Sequence, residues 1–371
     1  MSLIPKSEFV GLEGVSHLCT GGEAPWLRSH DAACASFGRL KSAGMAGREE
    51  IFRVYERAKG RVSRRLGVPS EHIAFLAHSS EGLNQAVRAV DWRPGDNAVF
   101  ADLEYPSLIF PAAALADRGV EPRVVRTLGH HLSMDAVAAA VDARTRLLLV
   151  SQVSFLTGQR LDLARCAELA RRHGAWLAVD ATHALGVVPV PGAVCDFVVS
   201  SCYKWLLATH GVGIFAYNPE RVGELAPATL GWHSVEHRGG FEDPLAMPLR
   251  PTAARLEAGN PSLLPLFVLD NALERTEGLD PGAVERHAQA LGARLIEGLT
   301  ARGRKVITPE APLERAGNVC FLADDARALA DRLAARKVLV WGGDGRIRVS
   351  AHLYNDADDV AALLAAMDAV G

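Results

Sequence analysis

From Ile73 to Phe215, short β-rich apolar runs alternate with Ala-rich amphipathic segments, and this alternation constrains the chain more than any other feature. IAFLA precedes the helical EGLNQAVRAV, NAVFADL precedes PSLIFPAAALADRG, PRVVRTL precedes MDAVAAAVD, and LLLVSQV precedes DLARCAELARRHG. WLAVDA, DFVVSS and GVGIFAYN follow with shorter connections. Neighbouring parallel strands need a crossover long enough to hold a helix, and strands buried on both faces read as unbroken apolar runs. The pattern therefore predicts an α/β fold with a mostly parallel sheet covered by helices on both faces. In such sheets ligands bind beyond the carboxyl ends of the strands.

Composition shifts near Leu230, where GWHSVEHRGGFEDPLAMPLRP is rich in Gly, Pro and charge and reads as a crossover loop whose Trp and Phe need packing partners. A long helical stretch follows from Leu263 to about Arg302, broken near Gly278 to Pro281. The tail reads KVITP, GNVCFLA, a helix from Ala326 to Arg336, RIRVSAH and a closing helix DADDVAALLAAMDAV, which makes a smaller α+β domain. With 371 residues, 49% of them hydrophobic, the chain can fill more than one core. The expected division is a segment 1–20 packing with the small domain, a large domain 21–250 and a small domain 251–371.

A net charge of −3 with interspersed Arg, Asp and Glu leaves no basic stripe for nucleic acid. MSLIPKSEFVGLEG lacks the basic and apolar parts of a leader, and no apolar run approaches the length of a membrane span, so a cytoplasmic protein is expected. The six cysteines carry no Cys-x-x-Cys or Cys/His spacing suited to zinc and read as buried reduced thiols. His130 and His131 read as a solvated loop, not a metal site.

The chemistry centres on Lys204, in SSCYKWLLATHGVGIFAYN, just past the strand-like stretch Asp196 to Ser200. A lysine held among aromatic and hydroxyl groups loses hydration, which favours the neutral amine and suits Schiff-base chemistry. A pyridoxal site needs, besides the lysine, an acid at the pyridine nitrogen, a ring-stacking group, a phosphate cup and a carboxylate anchor. Asp180 ends the strand of AWLAVDATHALG, where a protonated pyridine nitrogen would satisfy a buried carboxylate; a helix cap is the competing reading. His183, three residues on, is a candidate partner for the cofactor's phenolic oxygen or a structural histidine. Ser79 and Ser80, in AHSSEGLN at a helix start, offer an anion seat or an everyday N-cap. Ser201 and Tyr203 flank the lysine as further phosphate contacts, and Tyr105 in LEYPS is a stacking candidate or a core aromatic. Arg346 and Arg348 alternate along RIRVSAHLYN and face one side of a strand; an arginine there needs an anion, either a substrate α-carboxylate or an internal one.

In this order these segments resemble the class V aminotransferase superfamily of fold type I pyridoxal-phosphate enzymes, over almost the whole chain. That superfamily includes cysteine desulfurases, carbon-sulfur lyases, epimerases and kynureninases. SSEGLN is similar to its phosphate-binding helix start and LEYPS to the segment of its stacking residue, often His and here Tyr105. VDATHALG is similar to its Asp-x-x-His or Asp-x-x-Gln element, SSCYKW to its Ser-x-His-Lys element with Tyr203 for His, and RLEAGNPS to its Arg-Phe-Glu-Ala-Gly-Thr element. RIRVSAHLYN resembles the strand of the carboxylate-binding arginine, which points to Arg348. The resemblance implies pyridoxal 5'-phosphate as cofactor and a homodimer with sites at its interface, where Asn260 would meet the neighbour's phosphate.

Two departures matter. Phe155 stands where the family often carries an Asn near the phenolic oxygen, a role open to His183 or Gln152. The loop KVLVWGGDGRIRVS holds no cysteine, and none follows Cys320, whereas desulfurases carry their sulfur-accepting thiol there. Cys202, beside the lysine, is expected to be a packing residue. The resemblance thus implies a pyridoxal-dependent aminotransferase or related lyase acting on a small L-amino acid, by transamination or β-elimination. Epimerisation, desulfurase-like lysis and an idle cofactor-binding homologue are the alternatives. Arg28, His233, Arg238 and Arg250 are candidates for reading the substrate side chain.

Overall fold

The computed structural model describes residues 1–236, 245 and 247–370; Arg238 lies outside them. The central sheet has seven strands in the order Ile73–Leu76, Gly213–Tyr217, Phe197–Ser201, Trp176–Asp180, Thr145–Ser151, Asn97–Ala101 and Glu121–Val125. Gly213–Tyr217 runs antiparallel to both neighbours and every other pairing is parallel. All seven apolar runs read from the sequence are strands, and the helices Ser79–Arg88, Pro106–Ala113, Met134–Ala140 and Leu163–Arg172 lie between them. Two apolar clusters cover the two faces. One holds Val99, Leu148, Val150, Leu177, Val179 and Val198, the other Ala98, Phe100, Leu147, Leu149, Ala178 and Val199, so each strand sends alternate side chains to opposite cores.

The helices Ser29–Lys41 and Gly44–Leu66 were not foreseen from the sequence. Their composition is dominated by Arg, Gly and Ala, which hides the apolar stripe. In Gly44–Leu66 that stripe is Ile51, Val54, Tyr55, Ala58, Val62 and Leu66, at helical spacing, and Gly67 ends the helix in the left-handed region at φ 65°. Both helices pack on Leu263–Glu277, one half of the stretch expected to break near Gly278; the other half is Pro281–Thr300, capped by Asp280.

A three-stranded antiparallel sheet joins Trp341–Gly343, Arg346–Ser350 and Asn318–Leu322, with Arg348 opposite both Trp341 and Cys320. Helices Pro281–Thr300, Ala326–Ala334 and Ala357–Val370 cover it with a third apolar cluster, which also takes Leu18. Ser16–His17 pairs in parallel with Val338–Leu339 in a separate two-stranded sheet, and the bridge from Cys19 to Ser350 ties the N-terminal segment to the three-stranded one. Among the described residues no helix is long and apolar enough to cross a membrane.

Candidate active site

Three parallel strands end side by side on Ser151, Asp180 and Ser201, and the register places Ser151 opposite Asp180. Parallel strands point all their carboxyl ends to one edge, so one polar side chain at the end of each builds a site without further folding. Ser79, Tyr105, Asp180, His183, Ser201, Tyr203 and Lys204 line one pocket there, together with Ser151, Val153, Phe155 and Thr182. A larger cavity lies elsewhere, near His131, Gln159 and Arg160, and is lined by none of these residues.

Lys204 follows the strand Phe197–Ser201 in a turn, and its Nζ stands 3.2 Å from His183 Nε2. The amine lies 5.4 Å from the centre of the Tyr203 ring and 5.9 Å from that of Tyr105. Burial, reinforced by the Arg348 guanidinium, pushes its pKa down to about 8 against the opposite pull of Asp180. A large fraction is therefore neutral just above physiological pH, as a nucleophilic amine requires.

Asp180 is buried, with Oδ1 accepting from Thr182 N–H at 2.8 Å, and burial holds its carboxyl above the ordinary carboxylate range. No Lys or Arg among the described residues forms an ion pair with it. Thr182 Oγ1 in turn accepts from Ser201 N–H, which ties two strand ends together. His183 is buried and held well below its ordinary pKa, first by burial and then by Lys204 and Arg348, so the ring is neutral. The Ser201 hydroxyl is buried and makes no hydrogen bond. A buried hydroxyl without a partner, beside an unpaired carboxylate and a depressed lysine, fits a polar group filling the pocket.

The remaining candidates fall into two sets. Tyr203 stacks on His210 with ring centres 4.0 Å apart, and Tyr105 sets its ring edge against Phe155 at 5.1 Å. Ser79 opens its helix at the pocket because Gly213 lets the next strand pass tightly beneath: a Cβ there would collide with the His78 and Ser79 backbone. Ser80 donates instead to Ser107 Oγ at 2.8 Å, and the helix cap is His78, whose ring accepts from Glu81 N–H. Arg348 is buried behind Phe155, whose carbonyl accepts from Nη1 at 3.0 Å; its Nε has no partner, and its guanidinium lies 5.0 Å over Trp341. Arg346 crosses the same indole at 4.7 Å, as their shared strand face demands. Asn260 is exposed outside the pocket and accepts from Arg48.

Four neighbours of the site escaped the sequence reading. Glu104 is buried beside the pocket, receives both the N–H and hydroxyl of Ser151, and burial pushes its pKa up to about 7. Its place before Tyr105 at a strand end was the available signal. Asn318 and Trp205 both reach His183 Nδ1, at 3.0 and 3.4 Å; nothing in GNVCFLA or YKW announced this. Thr182 hid inside the motif that pointed to Asp180 and His183.

The family profile of Aminotransferase class-V matches residues 35–363. The chain belongs to the class V aminotransferase family. Among its class V relatives, a probable cysteine desulfurase of Pseudomonas aeruginosa is 30% identical over 342 residues, 86% of this chain and 83% of that protein. An isopenicillin N epimerase of Streptomyces clavuligerus is 28% identical over 335 residues, 84% of this chain and 83% of the relative. A solved structure of a C-DES variant with glycine covalently linked to its PLP cofactor superposes with a TM-score of 0.88 at 23% identity, covering 98% of each chain. The fold is that of the pyridoxal-phosphate enzymes, the cofactor is pyridoxal phosphate, and the protein is a pyridoxal-dependent aminotransferase or lyase of class V.

Proposed function

We propose that this enzyme acts on a small L-amino acid, with Lys204 carrying the Cα proton, and completes either transamination or β-elimination. The observation that carries this reading is the depressed Lys204 amine, 3.2 Å from a neutral His183 in the same pocket as the unpaired Asp180. When bound, pyridoxal phosphate supplies an electron sink for charge developing at Cα. The chain's own residues then divide the work. Asp180 would hold the pyridine nitrogen protonated, and His183 would face the phenolic oxygen. Tyr105 would cover the ring. Ser79, Ser201 and Tyr203 would bind the phosphate, with Asn260 reaching the site of a second copy in a homodimer. Arg348 would take the substrate carboxylate, and the indole of Trp341 and ring of Phe155 beside it favour a short side chain.

The reading includes no sulfur transfer to a loop thiol, because residues 337–350 contain no cysteine. Cys202 is fully buried and burial raises its thiol far above the ordinary range, which suppresses the nucleophilic thiolate. Cys202→Ser is expected to keep its cofactor and its turnover, at a stability cost of about 1 kcal/mol for burying a hydroxyl. Complete loss of turnover with cofactor still bound would give Cys202 a chemical role.

Pure enzyme incubated with a panel of L-amino acids, with the cofactor spectrum followed and keto acid, ammonia and sulfide assayed together, tests the proposal. Keto acid without ammonia means transamination; keto acid with ammonia, and sulfide from a thiol substrate, means β-elimination. Inversion at Cα alone, or no spectral change with any amino acid, defeats it in favour of an epimerase or an idle homologue.

A further inference from the structure

We propose that Asn318 is a positioning residue which, with Trp205, holds His183 as the tautomer carrying its proton on Nε2. The proposal rests on the reading that His183 faces the cofactor's phenolic oxygen, and it explains how a chain with Phe155 near that oxygen still offers it a donor.

An indole N–H only donates, so the contact from Trp205 Nε1 to His183 Nδ1 requires a lone pair on Nδ1. Burial keeps the ring neutral, so its single proton is on Nε2. The same lone pair orients Asn318: its Nδ2 must be the atom 3.0 Å from Nδ1, and its Oδ1 then accepts from Ser350 Oγ at 2.8 Å. Both ends of the amide are satisfied in one orientation only. On the other side of the ring, Nε2–H points at Lys204 Nζ, 3.2 Å away, and above about pH 8, where the amine is neutral, it is an acceptor there. Two donors on Nδ1 and one acceptor at Nε2 leave the ring no alternative tautomer without an unpaired donor or acceptor in a buried site.

Asn318 comes from the small sheet, not from the strand ends that build the rest of the pocket. Ser350, its partner, shares a strand and a face with Arg348. A Cβ on Gly21 would meet Ser350 Oγ, Asn318 Oδ1 and Arg348 Nε together, so the segment before Gly22 closes over this cluster and the amide has no room to turn. The group that would bind the substrate carboxylate and the group that sets the imidazole proton therefore sit on one rigid element.

The test uses nitrogen-15 NMR of the histidine rings in the apo-enzyme at about pH 9, where Lys204 is neutral, with His183 assigned from His183→Gln. The expected result is Nδ1 in the unprotonated range and Nε2 in the protonated range. In Asn318→Asp a carboxylate replaces the amide donor, and the proton is expected to move to Nδ1. In holoenzyme the pH at which the absorbance of the lysine-bound cofactor titrates is then expected to rise by about one unit, since a donor to the phenolic oxygen is lost. The added negative charge alone would act without His183, so the shift is expected to vanish when Asn318→Asp is made in the His183→Leu background. Protonated Nδ1 in wild-type apo-enzyme overturns the assignment. A shift that persists without His183 overturns the positioning role. An unchanged titration in His183→Leu itself, with the tautomer as assigned, removes the phenolic-oxygen reading and leaves the tautomer assignment supported.

Discussion

Lys204→Ala is expected to lower turnover by at least about 10³-fold and to abolish the near-visible absorbance of the lysine-bound cofactor. The amine is the basic group the pocket offers near neutral pH: burial moves His183 well below and Tyr203 above their ordinary values. Apo-enzyme should take up pyridoxal phosphate at a rate that rises with pH and levels off above about 8, where Lys204 has lost its proton. An ordinary lysine would keep gaining up to its usual 10.5. The fold should survive. Because the folded pKa lies below the unfolded one, the folded chain binds fewer protons between about 8 and 10.5, so stability rises with pH across that window. Below it the buried cation is a cost, and removing it does not weaken the apo-protein electrostatically. Normal cofactor uptake and turnover in the variant would sink the assignment. Loss of activity with a collapsed apo-protein would show that the lysine serves the fold.

The central sheet was legible because its signal is redundant. The inner runs are apolar at nearly every position that two cores demand, and the first four strands are each followed by a helix as a crossover needs. The same redundancy made Asp180, Ser201 and Lys204 readable, since a polar residue at the end of an apolar strand stands out against its neighbours. Ser79 lines the pocket as that logic expects, but Ser80, its neighbour in the same motif, spends its hydroxyl on Ser107. Helix phase separates two adjacent serines by about 100°, a distinction a motif does not carry. The two N-terminal helices were missed because arginines conceal a sound apolar stripe in Gly44–Leu66. Asn318 was invisible for a deeper reason: an Asn after Gly at a strand start reads as a turn residue, and its function exists only once His183, 135 positions upstream, folds against it. Local patterns report which element a residue joins; they do not report what crosses from another sheet to meet it.

Asp180→Asn is expected to lower turnover by about 10³-fold, some 4 kcal/mol of transition-state stabilisation, while leaving the apo-fold intact. The substitution keeps the shape and the Oδ1 that accepts from Thr182 N–H, so the turn at the end of Trp176–Asp180 retains its hydrogen bond. What it removes is the negative charge, which finds no ion-pair partner among the described residues and which burial already disfavours. A carboxyl whose folded pKa is raised binds more protons folded than unfolded, so its contribution to stability falls as pH rises above the ordinary carboxylate range. At neutral pH the charged apo-protein therefore bears a desolvation cost that asparagine relieves, and the melting temperature of apo Asp180→Asn should equal or exceed that of wild type. The holoenzyme should show the reverse. An amide cannot stabilise a protonated pyridine nitrogen as a carboxylate does, so the ring loses its power to draw electrons from Cα. The gain in melting temperature on adding pyridoxal phosphate should shrink accordingly. A variant with lowered apo stability and undiminished turnover would make Asp180 a turn residue. Opposite movements of apo stability and turnover are the signature of a buried charge held for its ligand, which places the cost of Asp180 in the folded chain and its benefit in the reaction.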